Sequence, residues 1–379
     1  MEPILFSACV FIFLTTLCLI VWSIVAQKKL PQLKPSHSFD ESLPLLTVVI
    51  PARNEEEDIE KSLVTILKQK HIALEVIVVN DHSSDKTQEI IEAVALQDTR
   101  VTIINNPELR DGWLGKANAM QTGAAIANGD YIVFTDADII HSQTCFASAL
   151  EIFLNHEYDF FSFSPLWINK TLAENINFPM YFMGFLKLMS IPKIDDPTSK
   201  NALASGAFML VKRSVFKNER GFECVKGNMF DDVGLAEHLK SKRYRVSYWL
   251  GPECSRVRLF KNSKDAFWGT TKNILSAVNG NVSLALPLIF VGVFQYWTPI
   301  LCVLYGSANE SIYLILVGLS TYLIQYLSFY SIRKTFTFHP IKLLAFPLVV
   351  IVSACCITRA AWNMKKGIIS WRGRKIKVN

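Results

Sequence analysis

Three long apolar stretches flank a segment of mixed composition, and each predicts a membrane-crossing helix. They cover residues 4–26, 282–306 and 311–332, which are 23, 25 and 22 positions without a charged side chain. A helix rises about 1.5 Å per residue, so about 20 apolar residues cross a hydrocarbon core of about 30 Å. A fourth stretch, residues 343–358, has 16 uncharged positions and contains Pro347. It is short for a span, so it is either a re-entrant or interfacial segment or a span that breaks the charge rule given below.

The segment between the first two stretches has the alternating pattern of an α/β domain. Apolar runs predict strands at residues 45–50, 75–79, 101–104 and 131–135, and helical patterns lie between them at residues 55–70, 86–96 and 115–127. This alternation predicts a mostly parallel sheet that is covered on both faces. In such a sheet, ligands bind at the carboxyl ends of the strands.

The patterns together predict five parts. In chain order these are an amino-terminal membrane anchor at residues 1–27, a linker at 28–44, a globular domain at 45–280, membrane helices at 281–358 and a basic tail at 359–379. A cleaved signal peptide is the competing interpretation of the first part. The length of the apolar run, the acidic Glu2 and the lack of a small-x-small site before Gln27 favour an uncleaved anchor.

The distribution of charge predicts an orientation in the membrane. Lys28 and Lys29 follow the first stretch, whereas Glu310 is the only charged residue between the second and third. The positive-inside rule therefore predicts an integral protein of the cell (inner) membrane whose globular domain faces the cytoplasm. The tail after Thr358 has seven Lys or Arg and no acid, which also favours the cytoplasmic side. A fourth span would place that tail outside.

Composition excludes some classes of partner. The net charge of +6 comes from the tail, because without its seven basic residues 32 Lys and Arg face 33 Asp and Glu. A neutral body counts against nucleic-acid binding, and the basic tail favours membrane lipids with anionic headgroups. Five of the eight cysteines lie in apolar runs and none forms a Cys-x-x-Cys pair, so we expect reduced thiols and neither zinc sites nor disulfides.

Candidate chemistry lies where the predicted strands end. Polar clusters occupy residues 53–56 after the first strand and 80–85 after the second, and Asp136 and Asp138 follow the fourth. Carboxylate oxygens at such an edge are the ligands that hard divalent cations prefer. Taken alone, Asp-x-Asp is equally typical of a turn or a helix cap.

Two further features add to these clusters. Lys116 lies in a Gly-rich helix start, Gly112-Trp113-Leu114-Gly115-Lys116, where backbone N–H groups and a lysine suit a pyrophosphate. Asp231 and Asp232 open a later helix, for which capping is the structural alternative.

In this order and spacing, the motifs resemble those of the family 2 glycosyltransferases. The motifs are Pro-Ala-Arg-Asn-Glu at residues 51–55, Asn-Asp-x-Ser-x-Asp at 80–85, Asp-x-Asp at 136–138 and Asp-Asp before Leu235. The resemblance covers about residues 45–260. It implies a nucleotide-sugar-binding GT-A fold, and the flanking spans resemble a membrane-bound branch that glycosylates carotenoids, hopanoids and ceramides.

The resemblance also implies a role for each matched residue. Glu55 and Asp81, with Arg53 in the same substrate-binding set, would hold the nucleobase and ribose of a nucleotide sugar, most simply a UDP-sugar. Lys116 would lie near the base or pyrophosphate. Asp138 would ligate Mg²⁺ or Mn²⁺, with Asp136 orienting the ribose or a bound water. Asp232 would be the general base of an inverting transfer, with Asp231 beside it in the substrate site.

One departure from the family pattern affects the expected product. The Gln-x-x-Arg-Trp motif of processive members is missing, and Arg258 and Trp268 occupy that region, where they are expected to close the site over the diphosphate. Membrane anchoring explains the arginine nearly as well. The sequence therefore predicts transfer of a single sugar, with polysaccharide synthesis as the alternative. For Trp371 to Arg374, membrane anchoring and an active-site lid are equally supported.

The acceptor is inferred least directly. Residues 175–192 are dense in aromatic residues and Met, which favours either a site that opens onto the bilayer or a domain core. The first interpretation predicts a lipid acceptor with a hydroxyl or carboxyl group. A transporter with a nucleotide-sensing domain and a non-catalytic nucleotide-sugar-binding protein are the alternatives from other classes. The spans carry no Asp, Glu, Lys or Arg of the kind that marks an ion path, which counts against the transporter.

Overall fold

The computed structural model describes residues 2–36, 43–177, 193–196, 198–258, 260–277, 285–331, 333, 335–337, 339–365, 369–371 and 374–376. The chain divides into two compact units. The α/β unit comprises Leu30–Trp167 and Ser190–Arg258, and the apolar unit comprises Met1–Lys29, Ile168–Met189 and Leu259–Asn379. The predicted division into five parts remains a prediction.

The α/β unit is built on a seven-stranded sheet with the order β3-β2-β1-β4-β8-β6-β9. Its strands are β1 (Leu46–Ala52), β2 (Leu74–Asn80), β3 (Val101–Asn105), β4 (Tyr131–Phe134), β6 (Phe160–Ser164), β8 (Met209–Lys212) and β9 (Val246–Leu250). Strands β3, β2, β1 and β4 are parallel to one another, and β9 is parallel to β6. Only β8 runs antiparallel, between β4 and β6. The predicted mostly parallel sheet is confirmed.

Helices cover both faces of this sheet, as the continuous apolar strands predict. On β1, Val48 and Ile50 pack into one core, whereas Val49 packs into the other. Successive side chains point to opposite faces of a strand, so a strand buried on both faces needs apolar residues at every position. The covering helices are α2 (Ile59–Leu67), α3 (Thr87–Gln97), α4 (Gly115–Ala125), α5 (Cys145–Asn155), α6 (Arg213–Asn218) and α7 (Asp231–Ser241). Short strands β5 (Ile140–His141), β7 (Leu166–Ile168) and β10 (Ser255–Val257) form part of a second sheet.

One predicted helix begins at the wrong residue. The acidic run from Glu55 predicts a helix start there, yet α2 begins at Ile59. The Glu55 amide donates to the hydroxyl of Thr87 at 2.7 Å, and the Glu55 carbonyl accepts from the amides of Asp58 and Ile59. Residues 55–58 therefore form a turn that is tied to the neighbouring loop.

The predicted linker begins as an ordered part of the α/β unit. The amide of Leu33 donates to the carbonyl of Leu250 at 2.7 Å, and the amide of Leu250 donates to the carbonyl of Pro31 at 2.9 Å. The side chain of Leu33 is 1% exposed. Residues 31–33 thus extend the sheet beyond β9.

The apolar unit contains the long apolar helices and several other helical segments. Its helices are α1 (Glu2–Lys29), α8 (Ser263–Ala277), α9 (Ala285–Ala308), α10 (Ile312–Tyr330), α11 (Pro340–Leu343) and α12 (Val349–Lys365), with a 3-10 helix at Phe346–Leu348. In the part of the chain that the structure describes, four helices are long and apolar enough to cross a membrane, at Glu2–Trp22, Ile289–Ala308, Ile312–Tyr330 and Phe346–Asn363.

The fourth of these helices is longer than the sequence predicts. The uncharged run stops at Thr358, but α12 continues through Arg359 to Lys365. The guanidinium of Arg359 lies 5.1 Å from the ring centroid of Trp268 on α8, so the charge has an aromatic partner. Most of the aromatic stretch 175–192 lies outside the described residues.

Candidate active site

The loops after β1 and β2 are joined at the carboxyl edge of the sheet. Asp81 donates its amide to the carbonyl of Ala52 at 2.8 Å. Arg53 donates from Nη1 to the carbonyl of Asp81 at 2.6 Å, and its guanidinium is 4.0 Å from the Asp81 carboxylate. Asp81 is 4% exposed. The structure therefore brings together Arg53 and Asp81, as the motifs predict.

A second set of contacts fixes Glu55 beside the same loop. Glu55 is buried, and its amide is held by Thr87 as described above. Asp85 accepts from the amide and hydroxyl of Thr87 at 3.0 and 2.6 Å, and from the amide of Glu56 at 3.2 Å. Burial raises the pKa of Asp85, but these hydrogen bonds outweigh it, so the pKa is lowered overall. Asp85 thus organises the loop, while Glu55 and Asp81 are its candidate ligand-binding acids.

The loop after β4 carries the Asp-x-Asp pair. Its first residue, Thr135, donates its amide to the carbonyl of Val49 at 3.2 Å and its hydroxyl to the carbonyl of Ala207 at 2.7 Å. Asp136 forms an ion pair with Lys116 of α4, with 2.6 Å between Lys116 Nζ and Asp136 Oδ1. The carboxyl end of β4 and the amino terminus of α4 therefore meet, as the sequence predicts.

Lys116 lies among several carboxylates. Loss of hydration lowers its pKa, but the negative charges of Asp136, Asp231 and Asp232 outweigh this effect and raise the pKa overall. Lys116 therefore keeps its positive charge at neutral pH. A positive charge in this position can attract a diphosphate.

Asp232, at the start of α7, is held by two backbone amides. Gly206 donates to Asp232 Oδ2 at 2.9 Å, and Val233 donates to Asp232 Oδ1 at 2.8 Å. Burial raises the pKa of Asp232, and the positive charge of Lys116 partly opposes that rise. A carboxylate with a raised pKa and a fixed orientation has the properties of a general base.

The neighbouring Asp231 is more deeply buried. It is 7% exposed, and among the described residues its Oδ2 has no hydrogen-bond partner. Its pKa is raised to about 6, mainly by burial. The positive charge of Lys116 opposes this rise, and the negative charges of Asp232 and Asp136 add to it. A buried carboxylate oxygen without a partner is costly, which favours a ligand group at this position.

The acids of the β4 loop fit a divalent cation. Burial, then the charge of Asp136, raises the pKa of Asp138 to about 7, although the positive charge of Lys116 acts in the opposite direction. No group of three or more His, Cys, Asp or Glu residues is arranged to hold a metal in the part of the chain that is described. Two carboxylates suit Mg²⁺ or Mn²⁺, which keep waters and take other ligands from substrate phosphates. The donor set therefore fits a cation that is shared with a diphosphate.

The last two predicted residues, Arg258 and Trp268, belong to different units. Arg258 directly follows β10 in the α/β unit and is half-buried. Trp268 belongs to the apolar unit, where it is 38% exposed and packs edge-on to Phe267 at 5.6 Å between ring centroids. Their role over a diphosphate remains a prediction.

Sequence reasoning missed Gly206. A Cβ atom on Gly206 would lie 2.7 Å from Lys116 Nζ and 3.1 Å from Asp136 Oδ2. A methyl group at this position would therefore displace the ion pair, whereas glycine leaves room for it while its amide binds Asp232. The signal in the sequence is a run of small residues, Ala204-Ser205-Gly206-Ala207, which by itself indicates no site.

Sequence reasoning also missed a polar network around the buried Asn118, next to the loop before α4. Asn118, which is fully buried, accepts from Arg110 Nε at 2.7 Å and donates to the carbonyl of Glu108 at 2.9 Å. The guanidinium of Arg110 lies 4.1 Å from the ring centroid of Trp113. The network holds the Gly-rich loop that leads to Lys116.

Comparisons with known proteins match this chain to a family model and to glycosyltransferases. Residues 47–219 match the family model described as Glycosyl transferase family 2. The 4,4'-diaponeurosporenoate glycosyltransferase of Staphylococcus aureus (strain MRSA252) is 24% identical over 342 residues, which are 88% of this chain and 88% of that protein. The same enzyme of strain USA300 is 23% identical over 345 residues, with the same coverage of both chains.

A solved structure shares the fold. The mannosyltransferase of Pyrobaculum calidifontis, solved in complex with GDP-Man and Mn2+, aligns with a TM-score of 0.51 and 17% identity. The alignment covers 93% of this chain and 99% of that protein. The predicted GT-A-like fold is confirmed.

Proposed function

The chain is a family 2 glycosyltransferase with a GT-A-like fold, and from this premise we propose that it transfers a single sugar from a nucleotide-sugar donor to a lipid acceptor at a membrane surface. The observation that carries the proposal is the contact set around Gly206. Its amide holds Asp232 at 2.9 Å, and its missing side chain leaves room for the Lys116–Asp136 pair. The candidate base and the candidate diphosphate-binding charges thus adjoin one another.

The reaction follows from the chemistry of these groups. An acceptor hydroxyl or carboxyl oxygen attacks the anomeric carbon, a bond forms between them, and the bond from that carbon to the diphosphate oxygen breaks. Asp232 accepts the proton of a hydroxyl acceptor as the attack proceeds. A single displacement inverts the anomeric configuration, and the nucleoside diphosphate leaves.

The remaining acids and Lys116 serve the donor. In this proposal, Arg53, Glu55 and Asp81 hold the nucleobase and ribose, and Lys116 offsets negative charge on the diphosphate. Asp138, with Asp136 beside it, would hold Mg²⁺ or Mn²⁺, and such an ion neutralises the charge that develops on the leaving group. The structural neighbour was solved with GDP-Man and Mn2+, which supports a nucleotide sugar and a divalent cation. We propose a UDP-sugar donor and treat GDP-mannose as the competing one.

The acceptor is proposed from two observations. The relatives from Staphylococcus aureus are named 4,4'-diaponeurosporenoate glycosyltransferases, and the ending -oate denotes a carboxylate. The apolar unit has helices long enough to cross a membrane, with the mean hydropathy of Glu2–Trp22 reaching 2.8. Together they support a lipid acceptor with a hydroxyl or carboxyl group, and the charge pattern of the sequence favours its presentation at the cytoplasmic face of the cell membrane.

A transfer assay tests the proposal. Membranes that contain the protein are incubated with radiolabelled UDP-glucose, UDP-galactose or GDP-mannose, with and without Mn²⁺ or Mg²⁺, and label is measured in the organic extract. We expect metal-dependent lipid label from one donor. For a hydroxyl acceptor, we expect its loss by at least about a hundredfold in Asp232→Asn, because general-base catalysis contributes about 10²- to 10⁴-fold.

The assay also separates the alternatives. Label in aqueous polymer would indicate a polysaccharide synthase and would contradict single-sugar transfer. Nucleotide-sugar binding without transfer to any membrane extract would indicate a binding protein. Asp130→Asn is the matched control, because Asp130 is 77% exposed and pairs with Arg213 at 3.4 Å, at the opposite end of β4. This variant should retain full activity.

A further inference from the structure

The chain between α10 and α12 turns back inside the apolar unit. Phe346, in the 3-10 helix, is 1% exposed. Its ring packs against Tyr296 of α9 at 5.7 Å and against Tyr322 and Phe329 of α10 at 4.9 and 5.2 Å, between ring centroids. The turn is therefore wedged between the two helices.

These contacts place the turn deep within the apolar helices. Trp297, which contacts Pro347 of the turn, lies eight residues inside the apolar span Ile289–Ala308. Tyr322 lies eight residues before the end of the span Ile312–Tyr330. At about 1.5 Å per residue, both lie about 12 Å from the ends of these spans that face the α10–α11 connection. A hydrocarbon core is about 30 Å thick, so the turn reaches nearly to its middle.

The backbone of this turn is satisfied by side chains at that depth. The hydroxyl of Tyr322 donates to the carbonyl of Leu344, and Nε1 of Trp297 donates to the carbonyl of Pro347 at 3.2 Å. Backbone that leaves the helical pattern is tolerated in a bilayer only where protein groups replace the lost hydrogen bonds. Two donors from two neighbouring helices meet this requirement.

The entry to the turn, residues 339–342, is fixed by polar contacts with residues 170–175. The amide of His339 donates to Oδ1 of Asn175 at 2.8 Å, and Nζ of Lys342 donates to the carbonyl of Lys170 at 2.6 Å. Polar contacts of this kind belong outside the hydrocarbon core. Residues 339–347 therefore descend from a polar level to the level of Trp297.

Helix α12 then returns from the level of Trp297 towards the polar level at which residue 339 lies. Pro347 contacts Trp297, whereas the Cγ2 atom of Val350 lies 3.2 Å from the Cβ position of Gly292, five residues nearer the amino terminus of α9. Further on, Cys356 contacts the carbonyl of Phe267 at 3.7 Å on α8, which precedes α9 in the chain. A spanning helix would run from Trp297 towards Ala308, which is the opposite direction.

We propose that residues 339–365 form a re-entrant segment, so that α12 does not cross the membrane although it is long and apolar enough to do so. Only α1, α9 and α10 then cross. The chain after α12 is on the same side of the membrane as the chain between α1 and α9, which includes the α/β unit. The inference rests on the membrane insertion within the proposed function and is independent of sugar transfer.

This topology removes a conflict in the charge pattern. Four spans would place the seven basic residues after Thr358 opposite Lys28, Lys29, Arg333 and Lys334. With three spans, all of these charges lie on one side, as the positive-inside rule requires.

Tag accessibility in sealed vesicles tests the topology. Three variants carry one epitope tag each: before Glu2, in the exposed turn at Thr99 of the α/β unit, or after Asn379. Protease removal of each tag is measured in inside-out and right-side-out vesicles. We expect the Thr99 and carboxyl-terminal tags to be removed in one population and the amino-terminal tag in the other.

Each other outcome overturns the inference for a distinct reason. Removal of the carboxyl-terminal tag together with the amino-terminal tag would mean that α12 crosses the membrane. Release of the protein by alkaline carbonate would show that it is not integral, which removes the membrane premise while leaving the transfer assay unaffected.

A second measurement tests the turn itself. Tyr322→Phe keeps the ring that packs on Phe346 and removes only the hydroxyl that binds the carbonyl of Leu344. We expect a lower Tm in detergent than that of Tyr313→Phe, whose side chain is 73% exposed. Equal Tm values for the two variants would contradict the role assigned to this hydrogen bond.

Discussion

At the scale of single residues, Gly206 has the most constrained position in the candidate site. Its amide binds Asp232, and a Cβ atom would meet Lys116 Nζ at 2.7 Å. That ammonium is the end of a flexible side chain, so it can move aside at little cost to the fold. What would change is the position of positive charge in the site.

The first prediction concerns Gly206→Ala. We expect kcat to fall at least about tenfold, which is about 1.4 kcal/mol of transition-state stabilisation, because Lys116 and Asp136 are displaced. The Tm should change by no more than a few degrees. Gly227→Ala is the matched control, because its Cβ would lie 3.5 Å from the carbonyl of Gly112, an ordinary contact. Wild-type kcat in Gly206→Ala would show that the close approach has no catalytic consequence.

The second prediction concerns the divalent cation. In Asp138→Ala, we expect metal-dependent binding of a nucleoside diphosphate to weaken at least about tenfold, or about 1.4 kcal/mol, because a carboxylate ligand is removed. Calorimetric titration of UDP and GDP with and without Mn²⁺ measures the effect. A chelator should reduce wild-type affinity to the same level, while Asp232→Asn should keep most of its donor affinity. If Asp138→Ala bound as tightly as the wild type in Mn²⁺, the metal assignment would be wrong.

At the scale of secondary-structure elements, Glu75 joins three of them at the amino-terminal edge of the sheet. On β2, it accepts from the hydroxyl of Thr47 on β1 at 2.6 Å and from the amide of Asn128, before β4, at 3.0 Å. Burial raises the pKa of Glu75, but these hydrogen bonds, with one from the Asn128 side chain, lower it overall. The ionised form is therefore favoured in the folded protein.

The third prediction is a pH dependence of stability. Because folding lowers the pKa of Glu75 below its ordinary value of 4.5, its stabilisation is present above that pH and is lost as the pH falls through the folded value. Glu75→Gln should lower the Tm at pH 7, and the difference from wild type should shrink as the pH falls through the lowered pKa of Glu75. Glu89→Gln, an exposed change on α3, is the control. A Tm difference that is constant with pH would rule out this linkage.

The secondary-structure elements also show what could be predicted from the sequence. Strands β1 and β2 were predicted to within two residues, because burial on both faces makes them continuously apolar. The start of α2 was missed, because an acidic run is typical of a helix amino terminus and the sequence does not show that Thr87 captures the Glu55 amide. Asp136, Asp232 and Lys116 could be found because carboxylates and lysine are distinctive at strand and helix ends. Gly206 could not, because a backbone amide donor leaves no sequence signal.

At the scale of the whole molecule, the charge distribution distinguishes the tail from the rest. The body carries 32 Lys and Arg against 33 Asp and Glu, and the seven basic residues after Thr358 have no acid among them. In the proposed re-entrant topology, these residues are on the same side of the membrane as the α/β unit. Each basic residue near an anionic surface contributes about 1 kcal/mol of attraction, which falls off within a Debye length of about 8 Å at 0.15 M salt.

The fourth prediction follows from this attraction. In liposomes with anionic lipids at low salt, we expect chymotrypsin to cleave slowly after Trp371, since the tail is held at the surface. Cleavage, measured as loss of a carboxyl-terminal tag, should accelerate at 1 M salt, where the Debye length is about 3 Å. It should also accelerate in zwitterionic liposomes and in the variant with Arg374, Lys375 and Lys377 replaced by Gln. Cleavage that is insensitive to lipid charge, salt and these substitutions would mean that the tail is held by protein contacts, and its basic residues would then need a role in the catalytic site.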